Sequence, residues 1–296
     1  MKKKYQSNYI LLLLIGLLIL YLINSNLITK SILEYTTLFI EKIFPASFLF
    51  FTLSSLLIDY HFIETIEKLL KVNGAIFYTV MMSLISGFPS GSKYIKDLLE
   101  KGLISTKTAN YLITFTHFPN PMFILGSVSL LFPSPKYARG LLFSLIVANL
   151  LLGLLLKPKQ KETMKQETLK ETNFSTSLAK AITSSLKTIL LIYGTSIFFF
   201  LIATILNHYV NLPLSEYIFI NGIFDLTKGV FLTSLLKSPI LKAIFIIFFI
   251  SFGGLSVNIQ IKSIIADTKI KYKNFLLGRL FQFIIASLIF LLIINW

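Results

Sequence analysis

The sequence predicts an all-α protein that crosses a membrane several times. Of 296 residues, 55% are hydrophobic and only 14% charged, too apolar a balance for a soluble domain of this size. Apolar runs on the scale of a ~30 Å hydrocarbon core recur along the chain. Two polar, glycine-rich breaks interrupt them at depths where lipid cannot satisfy a free backbone group. The expected architecture has about seven to nine transmembrane segments, including two broken or re-entrant helical hairpins, with a two-fold internal repeat.

The net charge of +15 does not point to nucleic acid, because the lysines lie between apolar runs and form no stripe with exposed aromatics. The anionic inner leaflet is their expected partner. With no cysteine, there is no disulfide framework, thiolate nucleophile or cysteine metal site.

In chain order, residues 1–30 read as a signal-anchor span: Lys2-Lys3-Lys4 precede an apolar run to Ile23, and no small-residue cleavage site follows. Residues 31–156 form a first membrane half, with Pro45 as an expected kink. Within it, Ala75 to Ile85 covers roughly half a core at about 1.5 Å per residue, which favours a half-helix. The break Ser86-Gly87-Phe88-Pro89-Ser90-Gly91-Ser92-Lys93 follows, then a charged helix that must be shielded or lie outside lipid. A later span is interrupted at His117-Phe118-Pro119-Asn120-Pro121. Residues 157–181 read as a cytoplasmic linker, and its Asn173-Phe174-Ser175 sequon as chance. Residues 182–296 form the second half, with polar breaks at 221–229 and 252–258.

Two observations about the halves pull apart. Lysine placement puts both short runs, 75–85 and 240–250, as hairpins entering from the cytoplasmic side, with seven full spans around them. A fixed offset pairs Gly87 with Gly253, Ser90 with Ser256 and Lys96 with Lys262, as weak internal repeats of transporters do. An inverted repeat would require opposite entry.

The breaks carry the expected chemistry. Gly87 and Gly91 relieve steric limits, Pro89 lacks an N–H, and Ser90 suits the N-cap of the next helix. Ser92 lies in its first turn. That helix would aim free N–H groups and its positive dipole end into the membrane, a seat for a carboxylate; Gly253, Gly254 and Ser256 offer a second. The alternative, a GxxxG packing face, is opposed by Pro89. Asp225 is expensive in mid-span, hence a candidate for substrate contact and, together with Lys228, for coupling; the competing reading is a purely structural ion pair between the two. Asn120, Asn221 and Asn258 complete the candidate substrate-binding set. His117 reads either as a titrating or amide-like contact, or as a group that caps carbonyls beside Pro119 and Pro121. The three histidines lie far apart, so no metal site is expected. No P-loop or nucleophile elbow is present, so neither cofactor nor enzymatic activity is expected.

Over nearly its whole length the chain resembles the YlbJ family of sporulation integral membrane proteins, grouped with nucleoside-recognition Gate domains. The resemblance rests on Ser86 to Lys93 and on Phe252-Gly253-Gly254-Leu255-Ser256-Val257-Asn258-Ile259-Gln260, continued by Asp267, Ile270, Tyr272 and Arg279. Pro121 to Gly126 and Gly222 to Gly229 support it. His117-Phe118 stands where the family usually has two asparagines, and Asp225 where it usually has glutamate. The resemblance implies a transporter, for close relatives one that moves dipicolinic acid across the outer forespore membrane.

The expected function is a secondary transporter or export channel for a small organic anion, dipicolinate-like in a sporulation context. The alternatives are a nucleoside permease of the Gate type and a non-transporting membrane assembly protein. Expected partners are the anion or nucleoside and the lipid bilayer, with self-association into a homo-oligomer left open and no nucleic acid. The expected location is the cell membrane, multi-pass, and the mother-cell-derived outer forespore membrane if the host sporulates.

Overall fold

The computed structural model describes residues 2–158 and 173–294, and every regular element among them is a helix. Most of the expected linker, 159–172, lies outside the described residues. Helices α1 (Lys2–Ile23) and α2 (Ser25–Leu38) meet at a 93° bend. A π-helical turn, Phe39–Ile43, leads into α3 (Phe44–Asp59). Pro45 falls in the first turn of α3, where its missing N–H leaves nothing unpaired. The irregularity expected at the proline is the π turn before it. Then follow α4 (Phe62–Leu70), α5 (Gly74–Ser86), α6 (Ser90–Glu100) and α7 (Thr106–Leu112). After an unwound stretch and a π/3-10 run, Phe123–Leu131, comes α8 (Pro135–Leu155). The second half holds α9 (Phe174–Tyr209), α10 (Leu214–Phe224), α11 (Leu226–Leu232), α12 (Pro239–Phe252), α13 (Gly254–Ile264) and α14 (Tyr272–Ile294).

Local chemistry sets several starts. Asn73, Ser105 and Ser238 each accept a backbone N–H three residues on, at 2.9, 3.1 and 3.3 Å, as N-caps do. Asn173 caps α9 in the same manner through Ser175 N–H at 3.2 Å, giving the sequon asparagine a structural role.

By length and composition, four stretches can cross a bilayer: α8, α9, α12 with α13, and α14; six can if the bent pairs α1–α2 and α3–α4 each count as one. The other expected segments are the interrupted ones, and their interruptions differ in kind. A Cβ on Gly91 would lie 2.9 Å from Ser83 Oγ, and the Tyr78 and Tyr94 rings are 6.0 Å apart. Sixteen residues of straight helix would put those rings about 24 Å apart, so α5 and α6 fold back as a hairpin. A Cβ on Gly229 would strike the Cα of Gly222, so α10 and α11 fold back as well, with Asp225 at the tip. By contrast α12 and α13 continue as one stretch through Gly253. The second hairpin therefore falls at Asp225, where a full span was expected, and the full span falls at 239–264, where a hairpin was expected. The backbone differs accordingly: extended φ/ψ at Asp225 (−137°, 116°) turns the chain, whereas left-handed Gly253 and Gly254 only interrupt it.

Contacts sort the ends of the elements. At one end Lys101 pairs with Asp59 at 2.5 Å, Lys96 with Asp267 at 2.8 Å, and Asn110 Oδ1 accepts from Lys271 N–H at 2.7 Å. Gly74 N–H donates to Glu67 nearby, so the α5–α6 hairpin opens at this end. At the other end Asn24 bonds Tyr209 at 2.9 Å, Lys242 Nζ donates to Leu131 O at 2.5 Å, and Gly140 faces Phe290. The α10–α11 hairpin, between Tyr209 and Lys242, opens there. The hairpins enter from opposite ends, correcting the same-side expectation and placing Lys237 and Lys242 away from the main lysine cluster. The offset pairing Gly87 with Gly253 matches a hairpin tip to a break in a continuous stretch. In element order, long helix, hairpin, interrupted span and long helix occur twice: α3 to α8, and α9 to α14.

Two pairings frame the molecule, α8 along α14 and α3 along α9. In lipid such pairs are held by close packing and interhelical hydrogen bonds rather than by apolar burial. Gln260 Nε2 to Ser196 Oγ at 2.9 Å ties α13 to α9 in this way.

Candidate functional site

Four interruptions of helix meet in the interior. At the first hairpin tip, a Cβ on Gly87 would lie 2.8 Å from Asn120, and one on Gly91 2.6 Å from Thr116 O; the tip rests on the unwound stretch after α7. Phe88 stacks on His117, ring centroids 4.6 Å apart. A Cβ on Gly253 would lie 3.6 Å from His117 Nε2, and one on Gly254 3.0 Å from Leu226 N. The break in α12–α13 thus lies between the unwound stretch and the second hairpin tip. A cavity with room for about one water is bounded by Pro89, Gly91, Ser92, His117, Ile261 and Phe275.

The predicted residues divide by what they touch. Gly87, Ser90, Gly91, Ser92, Gly253, Gly254 and Ser256 are brought together and buried. Ser90 is the first residue of α6 rather than its N-cap; Pro89 holds that position, with no side-chain cap, and Ser92 Oγ donates to Pro89 O at 2.7 Å. Gly253 likewise leaves α13 without a side-chain cap. Two helix N-termini in the interior therefore lack a side-chain acceptor, the arrangement that favours anions.

Asp225 does not border the cavity. Its Oδ1 accepts from Lys228 N–H at 2.9 Å, capping α11, with the Ser256 hydroxyl in reach of the same carboxylate. Among the described residues no ion pair joins Asp225 to Lys228, whose ammonium lies 4.6 Å over the Phe200 ring. Asn120 Oδ1 accepts from Met122 N–H at 2.8 Å. Asn221 exchanges amide bonds with Asn207 at 2.8 and 3.1 Å. Asn258 is fully engaged: its amide donates to Phe252 O and Gly254 O, and its Oδ1 accepts from Tyr272. Asn120 and Asn258 hold irregular backbone in place, and Asn221 ties α10 to α9.

Sequence reasoning missed Arg279 as a site residue. Buried in α14, it donates through Nη2 to Thr114 O at 2.7 Å, through Nη1 to His117 O at 3.3 Å, and to Gln282 Oε1. Asn149 Nδ2 also donates to His117 O, at 2.9 Å. A Cβ on Gly278 would strike the Thr114 carbonyl, so glycine permits the close approach. A lone arginine in an apolar run was the signal that could have found it, since an intramembrane cation needs acceptors. Here they are the carbonyls freed where α7 unwinds.

Sporulation integral membrane protein YlbJ of Bacillus subtilis (strain 168) is 27% identical to this chain over an alignment of 307 residues, covering 86% of this chain and 74% of that one. Over most of its length the chain is similar to that protein. No family model and no solved structure matches it. The Gate-domain grouping stays a resemblance.

Proposed function

We propose that this YlbJ-like membrane protein is a secondary transporter or export channel for a small organic anion, dipicolinate-like in a sporulating host. One observation carries the reading: two hairpin tips and two interrupted spans converge in the buried interior and leave the N-termini of α6 and α13 without side-chain caps. Interrupted helices with inward N-termini are how secondary transporters seat carboxylates, and an assembly protein would have no use for so much broken helix at depth.

The topology that goes with it has seven spans and two re-entrant hairpins, with the Lys96, Lys101 and Lys271 end cytoplasmic by the positive-inside rule. The repeated element order, with hairpins opening at opposite ends, supports an inverted repeat. The multi-pass location would be the cell membrane, in a sporulating host the outer forespore membrane. Partners would be the anion and the bilayer; no reaction is assigned. A nucleoside is less well served, because Asn258, a candidate substrate contact that could take a sugar hydroxyl, has its amide and carbonyl already engaged.

The test is flux of radiolabelled dipicolinate into vesicles holding purified protein. Saturable uptake above that of empty vesicles is expected, with uridine competing poorly. Equal flux in empty and protein-bearing vesicles would sink the reading.

A further inference from the structure

If the site seats an anion, some side chain must touch it, and assigning that side chain rests on the transport reading. His117 is 5% exposed, and its Nε2 has no hydrogen-bond partner of ordinary geometry, although the Ile250 carbonyl lies near the ring. The ring is held on two sides, stacked on Phe88 and edge-on to Phe275 with centroids 5.3 Å apart. Its backbone is held separately, by Arg279 and Asn149 at the carbonyl oxygen. The unpartnered Nε2 faces Gly253, the N-cap residue of α13, where no side chain accepts the first-turn N–H groups. The same imidazole walls the cavity at the uncapped start of α6.

A buried polar nitrogen without a partner is rare in native proteins and calls for an explanation. Three features coincide here: a fixed ring, an idle nitrogen, and two helix N-termini beside it. We propose that His117 is the ligand-contacting side chain of the site, its Nε2–H donating to a carboxylate oxygen seated across the first turns of α13 and α6. The cavity as it stands holds about one water, so the anion enters when the hairpin tip carrying Phe88 withdraws from the His117 ring. Arg279 supplies positive charge and holds the loop, but its contacts are to backbone carbonyls and Gln282. It is the charged side chain that packs against the His117 segment.

This separation makes the proposal testable. Because Arg279 and Asn149 grip the carbonyl of residue 117, the imidazole can be replaced without dismantling the cage. Purified full-length protein would be compared with His117→Gln, which keeps an N–H donor, and His117→Met, which fills similar space without one. The readout is equilibrium dialysis against dipicolinate. Expected are binding within about 3-fold of wild type for His117→Gln and at least ~10-fold weaker binding for His117→Met, the loss of one hydrogen bond to a charged ligand. Equal binding by wild type and His117→Met would overturn the proposal, as would equal loss in both variants with unchanged thermal stability. Wild-type protein that binds no dipicolinate at all would instead count against the transport reading.

Discussion

Gly229 lies directly against Gly222, seven residues earlier in the chain, and a Cβ on Gly229 would strike the Gly222 Cα. Both glycines also face the ring of Phe249 in α12. The second hairpin is therefore closed by backbone contact. Gly229→Ala is expected to lower thermal stability by about 1 to 3 kcal/mol, the range of overpacking. Gly194→Ala, with nothing within 4 Å of its Cβ, is the control and is expected to stay at or above wild type. Thermal unfolding in detergent compares them.

The carbonyls of Thr114 and His117 depend on Arg279. Arg279→Met strands the Thr114 carbonyl and leaves the His117 carbonyl with Asn149 alone, and a buried unsatisfied group costs about 1 to 3 kcal/mol. Severe destabilisation is expected, with Arg279→Lys intermediate because an ammonium cannot reproduce the fork. If both variants unfold at the wild-type temperature, the cage is not what holds the unwound stretch.

Asp225 joins two roles that substitution can part. Asn caps a helix as well as Asp does, so Asp225→Asn is expected to unfold near the wild-type temperature, while Asp225→Ala loses about 1 kcal/mol with the cap. On the transport reading, Asp225→Asn also loses flux, because charge rather than capping is removed. Full flux in this variant would leave Asp225 a structural cap.

At the end of the molecule that also holds Lys101 and Lys271, Lys96 bonds both carboxylate oxygens of Asp267 at 2.8 Å, and this hydrogen bond holds the Asp267 carboxyl below its usual range. A depressed carboxylate pKa contributes stability above the unfolded value, about 3.9 for aspartate, and loses it as pH falls through the folded value. Asp267 is 66% exposed, so the effect is small and salt-sensitive. Asp267→Asn is expected to lower the unfolding temperature slightly at pH 7, with the difference vanishing in strong acid and in 1 M salt, where screening acts over about 3 Å. A difference that persists under both conditions would show that the contact is not electrostatic.

A chain without cysteine also permits a direct test of entry side. Single cysteines at Thr106 or Lys273 should react with an impermeant thiol reagent from one face of the membrane, and at Ser215 or Lys237 from the other. Labelling of all four from one face would contradict opposite entry of the hairpins.

Much of this was legible in the sequence because lipid is a severe solvent. Clustered glycine, proline and serine in an apolar run favour interrupted helix, and Ser86 to Lys93 and Phe252 to Asn258 stand out for that reason. What was not legible is how the chain proceeds after an interruption. Asp225 turns the chain back and Gly253 does not, and nothing in the local composition separates them; the difference lies in tertiary contact, Gly222 against Gly229 and Gly254 against Leu226. Arg279 was hidden for a related reason. Its acceptors are backbone carbonyls some 165 residues away in sequence, and carbonyls leave no mark on side-chain patterns.

Each hairpin tip rests on the interrupted span that follows it, Gly87 on Asn120 and Leu226 on Gly254. Because the tips arrive from opposite ends, withdrawing one uncovers the interior to its own end while the other stays seated. On the transport reading, a solute would pass in two strokes with one plug always in place, and the membrane would keep its ion gradients throughout the cycle.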